Sequence, residues 1–191
     1  MSRWEPGARE RLVLAAVDLF TEQGYDTTTV AQIAERAGVT KSTFFRHFPD
    51  KRELLSAGQE ALSDLLVEGI TEAPAGATPL EAVAAGLARA ATFMGPMNRE
   101  LAPRLKAAIA ASTELQQRDA LKTVGLTAAM VDALVTRGIP DPVAALAAEL
   151  GALAFKRGYL TWSESDRADA EFAPYALAAL KELQAATTAL G

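Results

Sequence analysis

An all-α fold of about nine helices, a small N-terminal three-helix domain ahead of a larger helical bundle, is predicted by three features of the sequence. Apolar residues recur at three- and four-residue intervals along most of the chain, and no stretch shows the two-residue alternation of a half-buried strand. Alanine is the most frequent residue and β-branched runs are scarce, a composition that favours helix. Gly and Pro punctuate the chain into helix-length pieces.

The first helix is read over residues 8–23, where Leu12, Ala16, Leu19 and Phe20 share a face, with Pro6 just inside its start and Gly24 just past its end. Thr29-Val30-Ala31-Gln32 is a capping box that opens a second helix, whose face is Val30, Ile33, Ala34 and Ala37 and which stops at Gly38. Thr40 caps a third helix, with Phe44 and Phe48 four residues apart on its inner side and Pro49 at its end. Asp50 with Glu53 is expected to open a longer fourth helix running to about Ile70. Residues 71–78, with Pro74, Gly76 and the adjoining Pro79, read as a loop. Five further helices are expected over 80–95, 103–111, 114–137, 142–163 and 173–189, with breaks at Gly95-Pro96, Ser112-Thr113, 138–142 and 163–167.

Composition removes several function classes. The 191 residues are 50% hydrophobic and 23% charged, with no uncharged apolar run long enough to cross a bilayer. The opening Met1-Ser2-Arg3-Trp4-Glu5 lacks the apolar stretch of a signal peptide, so a soluble, cytoplasmic protein with no membrane partner is expected. There is no cysteine and a single histidine, His47, which argues against disulfides, thiolate catalysis and multi-residue zinc sites. No metal, cofactor or catalytic set is expected. The net charge of −5 is unevenly spread: residues 1–52 hold eight Lys/Arg against seven Asp/Glu, and residues 53–191 hold eleven against seventeen. A mildly positive head on an acidic body suits a focused contact with a polyanion. The same cut separates the expected domains, 1–52 and 53–191.

Two short helices joined at Gly38, with a longer one before them, have the layout of a helix-turn-helix unit. Ala34, Ala37, Gly38 and Val39 are small enough for a close crossing and turn. At about 100° per residue, Phe44 and Phe48 point inward while Ser42 and Arg46 point away, flanked by Thr43 and Phe45. Such a face fits a DNA major groove, and equally an ordinary solvated helix.

The residues themselves go further. The segment Thr28 to Leu55, TTVAQIAERAGVTKSTFFRHFPDKRELL, closely resembles the DNA-binding domain of the TetR family of bacterial regulators. Together with the first helix the likeness spans roughly residues 8–55. It implies that Lys41, Ser42, Thr43 and Arg46 face the groove, and that Thr29, Phe45, His47 and Lys51 lie along the phosphate backbone. Lys51, at the expected start of the fourth helix, is placed to meet a phosphate with its ammonium. Thr40 serves either as cap or as phosphate donor. His47 has an alternative as a packed side chain. The family commonly has tyrosine where this chain has Phe45, and the missing hydroxyl forfeits one hydrogen bond of about 1 kcal/mol. Gly38-Val39-Thr40-Lys41-Ser42-Thr43 superficially matches a P-loop but lacks the glycine before the lysine and a preceding strand.

Residues 53–191 resemble the family only loosely. A small helix-turn-helix unit usually reads DNA in pairs, so a homodimer is expected. Its candidate surface is the helices 142–163 and 173–189, with the small-residue stripe Ala147, Gly151, Ala154 and Gly158 and the apolar face Ala176, Leu177, Leu180 and Leu183; interior packing is the alternative. A pocket for a small apolar or amphipathic effector is expected among Phe93, Met97, Leu105, Ile109, Met130 and Trp162, with Arg89, Arg104, Lys106 and Arg118 available to an anionic group. The expected function is a ligand-responsive transcriptional regulator, a repressor acting as a homodimer on a palindromic double-stranded operator. The alternative is a helical small-molecule-binding protein or enzyme with a vestigial DNA-binding domain.

Overall fold

The computed structural model describes residues 7–54, 58–167 and 169–189. Among these residues the chain forms nine α-helices and no strand. They are α1 (Ala8–Gln23), α2 (Val30–Arg36), α3 (Lys41–His47), α4 (Gln59–Glu72), α5 (Pro79–Ala91), α6 (Pro96–Ala111), α7 (Thr113–Thr136), α8 (Asp141–Ser163) and α9 (Phe172–Thr188), with a 3-10 turn at Lys51–Leu54. Packing separates two compact units. The N-terminal one joins the described residues up to Leu54 with Pro103–Ala120, and the second holds the described residues of Gly58–Ala102 and Leu121–Gly191. Packing therefore differs from a single cut after Arg52.

The N-terminal helices begin and end through local chemistry. The Gly7 N–H donates to the Glu10 carboxylate at 2.9 Å, capping α1; Pro6 lies outside the described residues. Thr29 Oγ1 accepts from the Gln32 N–H while Gln32 Oε1 accepts from the Thr29 N–H, the reciprocal pair that starts α2. Gly38, at φ +67°, ends it with the paired bonds of a Schellman turn, Val39 N–H to Ala34 O and Gly38 N–H to Glu35 O. Thr40 Oγ1 accepts from the Thr43 N–H and starts α3. Leu12, Ala16, Phe20, Ile33, Phe44 and Phe48 then close a core completed by Ala108 and Leu115 from the α6–α7 corner.

Two expectations are corrected. The long fourth helix starts at Gln59, not at Asp50. Asp50 does cap, taking the N–H groups of Arg52 and Glu53, but the turn it caps is the four-residue 3-10 segment. The sixth helix begins at Pro96 and carries Pro103 inside it, where a start had been expected. Asn98 Oδ1 accepts from the Gly95 N–H and organises that earlier start, and the helix tolerates the one bond that Pro103 cannot donate.

In the second unit α5 lies against α4, α8 and α9. A Cβ on Gly69 would stand 2.7 Å from the Gly86 Cα, so glycine on both helices permits the α4–α5 approach. Arginines close two helix ends: Arg137 donates to the carbonyls of Thr71, Ala73 and Pro74, and Arg99 to those of Ser165 and Arg167. The stripe Ala147, Gly151, Ala154 and Gly158 is buried within the subunit, which corrects its assignment to a dimer surface. A Cβ on Gly151 would meet Val83 Cγ1 at 2.6 Å, and one on Gly158 the Ala176 Cα at 2.6 Å. Ala176, Leu180 and Leu183 are likewise buried, and Leu177 partly so. The large apolar side chains that α8 leaves exposed are Val143, Leu146 and Leu153, on a face of the helix adjoining the buried stripe. No helix of the described residues is long and apolar enough to cross a membrane.

Candidate nucleic-acid interface

The third helix has two unlike faces. Phe44 and Phe48 are buried, with ring centroids 5.9 Å apart. They press α3 onto a core built from α1 and α2. Lys41, Ser42, Phe45 and Arg46 are exposed on the other side, and Thr43 is half-buried with its hydroxyl 3.0 Å from that of Thr40. Phe45 is 56% exposed, a large apolar surface that folding alone leaves uncovered. Its ring stands edge-on to Phe44 at 5.4 Å, so the side chain is held outward.

Charge pairing marks the same face. Arg36 meets Glu22 through two bonds at 2.9 and 2.8 Å, which holds the Glu22 carboxyl below the usual carboxylate range. Arg52 does the same to Asp50. Arg104 pairs with Asp18 at 2.8 Å and Arg118 approaches Glu114 at 3.5 Å. Lys41 and Arg46 have no hydrogen-bond or ion-pair partner among the described residues. Cations without intramolecular acids, beside an unfilled hydroxyl on Ser42 and an exposed ring, suit an external polyanion.

Other expected contacts stand differently. Thr29 and Thr40 are exposed, and each is engaged as a helix cap. His47 is half-buried, and its buried Nε2 has no partner among the described residues. Lys51, expected along the phosphate backbone, is turned toward the α1–α2 loop. Its Nζ donates to the carbonyls of Tyr25 at 2.6 Å and Thr28 at 2.9 Å, with that of Asp26 at 3.4 Å, and sits 4.1 Å from the Tyr25 ring centroid. Tyr25 in turn donates its hydroxyl to Glu114 at 3.2 Å. Burial and the Glu114 carboxylate push the Tyr25 pKa up to about 12. The α1–α2 loop is thus pinned by a lysine whose spacing in the sequence carries no sign of that partner.

The expected pocket residues are divided between the two units. Leu105 and Ile109 belong to the N-terminal unit, where Ile109 packs on the core. Met130 is a core residue of the second unit. Trp162 is buried in an aromatic cluster with Phe155, Tyr159 and Phe172, its Nε1 donating to the Ala170 carbonyl at 2.7 Å. Phe93 remains 38% exposed and Met97 is half-buried. Of the proposed anion ligands, Arg89 is held by Glu68 at 3.0 Å, and Arg104 and Arg118 by the acids named above.

The sequence pattern of the bacterial regulatory proteins of the tetR family matches residues 12–57. The HTH-type transcriptional regulator TcmR of Streptomyces glaucescens is 41% identical over 75 residues, 39% of this chain and 33% of that protein. The HTH-type transcriptional activator FasR of Mycolicibacterium smegmatis is 38% identical over 65 residues, 34% and 30% of the two chains. The matched part thus spans a third or less of these relatives' lengths. Likeness to solved structures extends over nearly the whole fold. Salmonella enterica GusR aligns with a TM-score of 0.57 at 19% identity, covering 93% of this chain and 94% of that one. The Thermus thermophilus transcriptional repressor FadR, solved with lauroyl-CoA, aligns at 0.53 and 23% identity, covering 92% and 93%.

Proposed function

We propose that this chain, whose residues 12–57 match the sequence pattern of the bacterial regulatory proteins of the tetR family, is a ligand-responsive transcriptional repressor of that family that binds a palindromic operator as a homodimer. The observation that carries the reading is the outer face of α3, where Lys41, Ser42 and Arg46 stand exposed, without a partner among the described residues, above two buried phenylalanines. Lys41, Ser42, Thr43 and Arg46 reach base edges in the major groove, and Thr29, Phe45 and His47 border the phosphates.

One seven-residue helix makes few contacts, so a second copy is needed for useful affinity. The exposed Val143, Leu146 and Leu153 of α8 supply an apolar face for that second copy. Two recognition helices then enter successive major grooves about 34–36 Å apart. A small apolar or amphipathic effector that prefers another spacing of the two heads draws the population away from the DNA-competent form. Phe93 and Met97 are the accessible side chains in the second unit that such an effector meets first.

Selection of bound fragments from random duplexes with the purified chain tests the reading. The expected result is enrichment of an inverted repeat with half-sites one helical turn, or a multiple of it, apart. Absence of any enriched sequence refutes DNA reading, and enrichment of single, unpaired half-sites refutes the dimer.

A further inference from the structure

Most cations of the N-terminal unit have a partner within the chain. Arg36, Arg52, Arg104 and Arg118 face carboxylates, while Arg11 and Lys51 face backbone carbonyls. Lys41 and Arg46 on α3 have neither kind of partner among the described residues, and the same holds for Arg9 on the first turn of α1. Arg9 is exposed, and its guanidinium carbon lies 5.4 Å from the centroid of the Phe48 ring. Phe48 is the residue that ends α3, and its own ring packs on Phe44. The head of Arg9 is therefore moored beside the C-terminal end of the helix that carries the other two unpaired cations.

That mooring has chemical consequences. An aromatic face attracts a guanidinium without neutralising its charge or consuming its N–H donors. A carboxylate partner would do both. The ring also restrains a long side chain, lowering the rotamer entropy lost when an anion binds. A planar fork of donors, fully charged and held in place, matches a phosphate's oxygens. Arg9 projects from α1 and not from the outer face of α3, so it is not one of the groove-facing residues, and a contact with the backbone suits it better than one with a base.

We propose that Arg9 is a phosphate-binding residue of the DNA interface, oriented by the Phe48 ring to grip the sugar-phosphate backbone flanking the groove that α3 enters. This rests on the DNA-binding reading above and adds to it a contact from α1.

The test is the salt dependence of binding, measured on a duplex recovered by selection with the wild-type chain. Arg9→Gln is expected to weaken binding about tenfold and to reduce the slope of log affinity against log salt by about 0.9, the counterion release of one phosphate. Arg9→Lys keeps the charge and is expected to retain the wild-type slope. Arg89→Gln removes one cation from the second unit, where Arg89 is paired with Glu68, and is expected to leave both quantities unchanged. The side chain of Arg9 is exposed, so the thermal midpoint of Arg9→Gln should match the wild type. Unchanged affinity and slope for Arg9→Gln on a duplex that the wild type binds overturn the Arg9 assignment alone. An equal loss for Arg89→Gln also overturns it, by reducing the effect to net charge. A wild-type chain that enriches no duplex overturns the DNA-binding reading itself, and the Arg9 contact with it.

Discussion

Replacing Lys51 by methionine separates an internal clamp from a phosphate ligand, since the two roles predict opposite results. The ammonium donates to the Tyr25 and Thr28 carbonyls, at 2.6 and 2.9 Å, and lies over the Tyr25 ring. Removing it leaves the Tyr25 carbonyl its bond from the Thr28 N–H at 3.2 Å, so the Thr28 carbonyl is the acceptor that suffers most. A lost hydrogen bond to a charged donor costs about 1.5–3 kcal/mol, and the cation–π contact adds about 0.5–1 kcal/mol. Methionine returns part of this by packing its thioether on the same ring, and Lys51 is itself only half-buried. The net expectation is a loss of about 2 kcal/mol from the N-terminal unit. Amide hydrogen exchange over residues 25–33 is the suitable assay, because Trp162 fluorescence reports the second unit. About thirtyfold faster exchange there, with an unaltered salt slope for DNA binding, is the expected outcome. Unaltered exchange together with a slope reduced by about 0.9 refutes the clamp and restores Lys51 to the phosphates.

Three other outcomes follow from particular contacts. Gly158→Leu forces a side chain against the Ala176 backbone, which lies 2.6 Å from an added Cβ and cannot rotate away; a loss of about 3 kcal/mol or more is expected in urea titration of the second unit. Stability should fall as pH rises above the normal tyrosine value of 10.0, because Tyr25 and Tyr159 hold their protons to about 12 while the unfolded chain has released them. The folded state then binds more protons than the unfolded one, which makes the slope of stability against pH negative; Tyr159→Phe should flatten that slope in alkaline denaturation curves. Arg46→Ala should relax discrimination at one base pair by about 1–3 kcal/mol, read by competition between the selected site and its single-base variants.

Most local signals were legible where a residue's partner lies within four positions of it, although the Asp50–Glu53 pair caps a 3-10 turn and not the long helix expected of it. The Thr29–Gln32 box, the Thr40 cap, the Gly38 turn and the inward pair Phe44 and Phe48 all stand as their spacing suggests. Legibility is lost where the partner is distant. Lys51 looked free because the carbonyls that hold it are 23 to 26 residues away. Arg9 carried no signal at all, since the ring that moors it lies 39 positions later. The small-residue stripe of α8 announced a close helix approach, and one exists, but α5 and α9 of the same chain occupy it. Periodicity shows that a face is apolar and close-fitting without showing whose helix it fits. The expected effector residues show the same ambiguity: an aromatic or methionine on a helix reads alike whether it is buried, as Met130 and Trp162 are, or stays open, as Phe93 does.

Residue order was enough to settle the helical class, the three-helix head and the side of α3 that faces outward, because caps, turns and hydrophobic periodicity are short-range properties fixed by backbone geometry and one helical turn of chain. Long-range packing alone assigned the cations: it brought Glu22 to Arg36, Asp18 to Arg104 and three carbonyls to Lys51, and left Arg9, Lys41 and Arg46 without an acid partner among the described residues. Which charges a folded chain spends on itself depends on distances between segments remote in sequence, and those distances exist only once the core has formed.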